Sequence, residues 1–181
     1  YFEYVLLELS YPEVVRRSDE TWFDHAHRLR AVRASDRAGL IYNVSFKILN
    51  AADYGVPQIR HRVFIVGFRS DLHIAYRFPA PTHSLEALVH DQWVTGAYWE
   101  RHGLPPDGTA RPIKAPNQQL SLPTATQPWR TVRDALSDLP EPNEHEPLTI
   151  ANHRYQPGAR SYAGHTGSPL DQPSKTLKAG G

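Results

Sequence analysis

Neither cysteine nor methionine occurs among the 181 residues. The first absence excludes a disulfide framework, a Cys-based zinc site and a thiol nucleophile supplied by this chain. Net charge is nearly absent as well: 20 Lys and Arg stand against 19 Asp and Glu. Overall charge therefore carries no nucleic-acid signal, and any such surface must come from local clustering. Long hydrophobic runs are missing too. None approaches the ~18 residues of a membrane-spanning helix, and no basic segment leading into an apolar run marks a secretory signal. An apolar share of 40% permits only a modest core, and the length suits one domain or parts of two. Sixteen prolines and eleven glycines imply much turn and irregular chain. The sequence opens on Tyr1 and stops at Gly180-Gly181, and it is expected to be an excised piece of a longer reading frame.

The first 80 residues carry the clearest periodicities. Phe2, Val5, Leu6 and Leu9 follow the i, i+3, i+4, i+7 spacing of one helix face, and Tyr11-Pro12 should end that helix. A second helix is expected after Ser18, a good N-cap, with Asp19 and Glu20 near its positive end and Trp22, Ala26, Leu29 and Arg33 as its stripe. Tyr42, Val44, Phe46 and Ile48 alternate with Asn43, Ser45 and Lys47, which argues for a strand with one buried face. The continuous apolar run Val63–Phe68 reads as a strand covered on both faces, neighbouring the first.

Beyond Phe78-Pro79-Ala80-Pro81 prolines multiply and periodicity weakens, which puts a domain boundary near residue 80. Ser84–Val89 can cap and begin a short helix, and Gln92–His102 is a further helical candidate. His102–Pro128 reads as a long loop. Thr131-Val-Arg-Asp134 has capping-box spacing and opens a short amphipathic helix through Val132, Ala135, Leu136 and Leu139. From Ala151 onward Arg154, Arg160, Lys175 and Lys178 face Asp171 alone, so the final stretch is locally basic.

The most informative segment is Leu49-Asn-Ala-Ala-Asp-Tyr-Gly-Val-Pro-Gln-Ile-Arg-His-Arg-Val-Phe-Ile-Val-Gly67. Gln58, Arg60 and Arg62 alternate, and in extended backbone alternate residues share a face. That face would carry one amide, able to donate and accept, and two guanidiniums, whose rigid forks suit phosphate or base-edge oxygens. An isolated Arg-x-Arg would be no more than charge flanking a strand. Here the whole block, from Asn50 through Gly67, resembles motif VIII of the cytosine-5 DNA methyltransferases. A second segment, Gly158–Gly181, contains Pro173-Ser-Lys-Thr-Leu-Lys-Ala-Gly180 and resembles part of the target recognition domain in one branch of that family. Thr131–Pro140 also resembles a connecting helix that follows motif VIII.

The resemblance implies an α/β fold: residues 1–80 would be the end of a Rossmann-like, S-adenosylmethionine-dependent catalytic domain, and residues 81–181 the start of an irregular, loop-rich target recognition domain. It implies DNA methylation in a bacterial restriction–modification system, a methyl group passing from S-adenosylmethionine to C5 of a cytosine flipped out of a specific duplex. In such enzymes a cysteine thiolate attacks C6, which makes the poorly nucleophilic C5 reactive. By resemblance Arg62 would contact the flipped cytosine or an adjacent phosphate. Arg60 and Gln58 would bind backbone or orient neighbouring groups. Thr176, similar to the Thr of a Thr-Leu pair common in these recognition domains, would bind double-stranded DNA with Lys175 and Lys178, the two lysines as phosphate partners. Asn50, Tyr54, Gly55 and Pro57 read as structural, Gly55 supplying a tight turn.

The family's Phe-x-Gly-x-Gly cofactor loop, Pro-Cys dipeptide and Glu-Asn-Val block are absent from these residues. The missing catalytic half would come from the same chain or a partner subunit, and this piece alone should be inactive. Two alternatives stay open: a natural split subunit, or a non-catalytic DNA-binding module descended from the enzyme. The expected location is cytoplasmic, bacterial and nucleoid-associated, without a membrane partner. His25-x-His27 is the only close histidine pair, and i, i+2 residues on a helix diverge, which argues against a metal site. The four tryptophans read as core or loop anchors.

Overall fold

A computed structural model describes residues 1–35, 39–105, 125–141, 150–151, 153 and 167–176. The chain divides into two compact units, Tyr1–Ile48 with Arg62–Pro79 and Leu49–His61 with Ala80–Gly181. Among the described residues no helix is long and apolar enough to cross a membrane.

In the first unit, α1 (Phe2–Ser10) packs on α2 (Trp22–Arg33). Helix α1 is apolar at so many positions that more than one stripe is possible. The expected face of Phe2, Val5, Leu6 and Leu9 is not the buried one. Tyr4 and Leu7 are buried instead, with Val14, Ala26 and Leu29, while Phe2 and Leu9 stay exposed. The partner helix decides: Ala26 and Leu29 offer an apolar strip, and the Tyr4 hydroxyl finds Glu8 at 2.6 Å and His25 at 3.0 Å. That bond to Glu8, aided by burial, pushes the Tyr4 phenol up to about 12. The His25 ring is buried, and its Nε2 lies 2.6 Å from the Val14 carbonyl. A carbonyl can only accept, so Nε2 carries a proton.

The cap of α2 is Thr21 rather than Ser18. Its hydroxyl accepts from the Asp24 N–H, and the Asp24 carboxylate accepts from the Thr21 N–H, a complete capping box. Glu20 instead accepts from the Arg28 fork, which holds its carboxyl down to about 2.

Strands β1 (Tyr42–Asn50) and β2 (His61–Arg69) form a two-stranded sheet. The Ser70 N–H donates to the Ile41 carbonyl and the Ala51 N–H to the Arg60 carbonyl, a register that fits antiparallel pairing. The strand positions match expectation; the burial does not. Phe46 and Ile48 on β1 are 51% and 62% exposed, and Val63 and Phe64 on β2 about half exposed. The described buried cluster of this unit is made by α1, α2 and Val14, and a two-stranded ladder has too little surface to cover its own faces.

The second unit holds a 3₁₀ turn at Ala51–Tyr54, strand β3 (His83–Ser84) paired in parallel with β4 (Gln127–Pro128), and helices α3 (Leu85–His90), α4 (Ala97–Arg101) and α5 (Val132–Leu136). The Ser84 hydroxyl caps α3 by accepting from the Ala87 N–H, as its spacing predicts. The helix expected over Gln92–His102 is broken. A π-helical turn spans Asp91–Thr95, and Gly96 at φ 74° precedes α4; that left-handed conformation cannot continue a helix. Leu88, Tyr98 and Trp99 form the buried cluster, flanked by Trp93, Leu104 and Trp129. Thr131 caps α5 through the expected box with Asp134, though the helix is short and Leu136 stays exposed. The mixed α/β class therefore stands, carried among the described residues by two two-stranded sheets and short helices.

Candidate functional site

The turn that presents Gln58 is built by side chains on both sides of it. The buried Asn50 carboxamide oxygen accepts from the Ala52 N–H at 3.4 Å and the Arg60 N–H at 3.0 Å, pinning the two ends of the turn. Gly55 sits at φ 83°, where only glycine is unstrained. A methyl group there would also come within 2.8 Å of His83 Cε1. Asp53 accepts from the Trp129 indole N–H at 3.0 Å, and the Asp53 carbonyl accepts from the Thr82 N–H.

Segments 57–59 and 174–176, more than a hundred residues apart in sequence, are joined here. The Ser174 N–H donates to the Pro57 carbonyl at 2.9 Å, and the Ile59 N–H to the Ser174 carbonyl at 2.8 Å, a parallel bridge at Gln58 and Ser174. The Thr176 hydroxyl donates to the Ile59 carbonyl at 2.8 Å, and Gln58 Nε2 reaches the Lys175 carbonyl at 3.5 Å. Gln58, Lys175 and Thr176 thus lie together. Arg60 is attached through its backbone to Asn50 and exposes its side chain. The Lys175 side chain is exposed as well. Arg62, the second residue of β2, belongs to the other unit and is also exposed. Lys178, with most of Gly158–Gly181, lies outside the described residues.

The segment leading into Ser174 is held by groups that spacing did not single out. Asp171 accepts from the Tyr98 hydroxyl at 2.8 Å and from Arg133 Nε and Nη2 at 2.6 and 3.1 Å. Its carbonyl accepts from Gln92 Nε2 at 2.8 Å. Burial alone would raise the Asp171 carboxyl, but the Arg133 fork and the Tyr98 hydroxyl outweigh it and hold the group below its ordinary value. Burial pushes the Tyr98 phenol up, and Asp171 adds to that rise. A neighbouring carboxyl, Asp134, is likewise opposed by burial. The Thr131 N–H and hydroxyl, His102 and Arg101 nevertheless keep it low. The one hint of this cluster in the sequence was that Asp171 is the lone acid in a basic stretch; nothing in the spacing of Tyr98 or Gln92 pointed to it.

The sequence model of the C-5 cytosine-specific DNA methylase family matches residues 25–169, and the chain belongs to that family. Over 151 residues it is 32% identical to the type II methyltransferase M.MthTI of Methanothermobacter thermautotrophicus, a match covering 77% of this chain and 32% of that protein. It is 40% identical over 99 residues to M.AquIA of Picosynechococcus, covering 55% of this chain and 28% of that protein. With M.HhaI of Haemophilus parahaemolyticus it shares 49% identity over 53 residues, 29% of this chain and 16% of that protein. The chain therefore spans a third or less of the length of these relatives. No solved structure matches it.

Among the described residues nothing fits an S-adenosylmethionine cradle. One open concavity of about 570 Å³ is lined by His83, Arg101, His102, Trp129, Arg130 and Asp134 among others. It is a charged groove without a glycine-rich turn.

Proposed function

We propose that this chain is the motif VIII and target-recognition portion of a DNA cytosine-5 methyltransferase, which methylates a flipped cytosine within a specific duplex as part of a restriction–modification system. The methyl donor would be S-adenosylmethionine, held by residues outside this chain. The observation that carries the reading is the backbone pairing of Pro57–Ile59 with Ser174–Thr176. It brings a polar amide, a lysine and a threonine hydroxyl onto two bridged segments, the residue types that hold phosphates and polar base edges. Thr176 spends its one hydroxyl proton on Ile59, so donation to a phosphate would exchange one acceptor for another. Arg60 and Lys175 are exposed cations beside it, available to the DNA backbone without breaking a described bond. Arg62 is assigned to the flipped base or its phosphate, where a fixed guanidinium offsets the few kcal/mol of unstacking.

The chain has no cysteine, so the thiolate and the cofactor site would come from residues outside it, in the same polypeptide or in a partner subunit. Either way, these residues by themselves supply recognition and not the nucleophile. The complete reading frame, with its partner where one exists, should be expressed in cells lacking methylation and the DNA read by bisulfite sequencing. Protected cytosines in one fixed context are expected; soluble protein without protection would leave a non-catalytic DNA-binding module as the better description. In the active system Arg62→Ala should lower the methylation rate by about a hundredfold or more, and an unchanged rate would remove Arg62 from the site.

A further inference from the structure

Helix α5 begins without unpaired donors. The Thr131 hydroxyl accepts from the Asp134 N–H, and the first two helical N–H groups, of Val132 and Arg133, donate to the carbonyls of Gln172 and Leu170 at 2.9 and 2.8 Å. Groups that a helix start normally leaves to water are here used to grip residues 170–172. The grip is completed at Asp171, whose carboxylate and carbonyl receive Tyr98, Arg133 and Gln92. Gln92 is itself buried and fixed, its carbonyl accepting from the Trp99 indole at 2.7 Å. From Asp171 to Ser174 the chain runs through Gln172 and the buried Pro173, whose ring fixes φ. So short and stiff a link carries the placement of Asp171 directly to the 174–176 segment on Gln58.

We infer that Asp171 is a positioning residue: its carboxylate ties residues 170–172 to Tyr98 and Arg133 and thereby sets Ser174–Thr176 against Pro57–Ile59. The inference rests on the proposed function for its consequence in DNA binding, though not for its consequence in the protein alone. Simple electrostatics gives the opposite sign. Removing the one acid from a basic stretch would strengthen attraction to a polyanion, whereas loss of positioning weakens binding. Asparagine at this position keeps an acceptor oxygen but turns an amide donor toward the Arg133 donors, so the bidentate pair cannot re-form.

The test uses the complete enzyme and its Asp171→Asn variant. Without DNA, hydrogen exchange at the Ile59 and Ser174 amides should accelerate about tenfold or more, while the Trp99 amide in α4 keeps its protection. Uniform loss of protection, or none, would overturn the positioning role whatever the enzyme's activity. With DNA, KM for the duplex should rise about tenfold with little change in kcat. Lys175→Ala, which in the parent should flatten the salt dependence of binding, should have no further effect in the Asp171→Asn background. Tighter binding by Asp171→Asn, or full additivity with Lys175→Ala, would overturn the inference. If Asp171→Asn does not fold, Tyr98→Phe removes the hydroxyl that meets Asp171 and Thr131 while leaving the Arg133 fork on Asp171, and is read in the same way, with a smaller exchange change. Failure of the parent enzyme to methylate would strike the proposed function and leave the exchange result standing.

Discussion

In the unit of residues 1–48 and 62–79, the buried cluster is Tyr4, Leu7, Val14, Ala26 and Leu29, with His25 as its buried polar member. Of its ion pairs, Glu3 with Arg30 and Asp71 with Arg69 lie on the surface, and Glu20 with Arg28 is partly buried. In the unit of residues 49–61 and 80–181, the apolar cluster among the described residues is Leu88, Tyr98 and Trp99. Thr131, Asp134, Asp171, Arg133 and Gln92 form a connected polar network around it. Apolar burial tolerates sliding and repacking, because it depends on area rather than direction. A network of directional bonds tolerates neither and specifies one arrangement of the loops that it holds. The difference suits a unit whose proposed task is to place a few side chains on irregular backbone.

The sharpest way to break the contrast is to cut a cavity in the first unit. Leu29 is fully buried, and Leu29→Ala should cost about 2–5 kcal/mol there. The measurement is urea unfolding followed at Trp22, the one tryptophan of that unit, and a loss confined to emission from Trp93, Trp99 and Trp129 would reverse the expectation. A smaller effect separates the two capping boxes. Thr131 is fully buried and also meets the Tyr98 hydroxyl at 3.0 Å, whereas Thr21 is exposed. Both losses should fall within about 0.5–2 kcal/mol, Thr131→Ala at the upper end and Thr21→Ala at the lower. Equal unfolding midpoints for the two variants would show that the polar network adds nothing to the cap.

The mildest probe is acid. Asp134 and Asp171 are held below their ordinary carboxyl value of 3.8. A carboxyl with a depressed folded pKa contributes stability above its unfolded value, and that contribution is lost as pH falls through the folded one. Emission from Trp93, Trp99 and Trp129 should therefore change below about pH 4, with the transition little moved by salt because the pairs are partly buried. Glu3 and Asp71 in the first unit are depressed as well, chiefly by hydrogen bonds from arginines at the surface. Their part of any acid transition should shrink as salt is added. A salt-sensitive change at the second unit's tryptophans would erase the distinction.

What could be read from sequence was local. The alternation of Tyr42–Ile48 and the run Val63–Phe68 located β1 and β2. The Thr131–Asp134 spacing located the capping box of α5, and Gly55 the left-handed turn before Gln58. Each depends on residues within a few positions of one another, whose sterics and hydrogen bonds act before any long-range contact forms. The Asn50–Gly67 block also carried enough residue-by-residue likeness to indicate the family. Tertiary structure decided the rest. It chose Tyr4 and Leu7 over Phe2 and Leu9 as the buried face of α1, because α2 and the His25 ring supply the partner surface. It left the strand faces that alternation alone would bury half exposed. It also set Ser174–Thr176 against Pro57–Ile59 and collected Tyr98, Gln92, Arg133 and Asp171 around one carboxylate. No period or spacing encodes such a meeting, because hydrogen bonds between residues 38 to 117 apart in sequence exist only once the chain has closed.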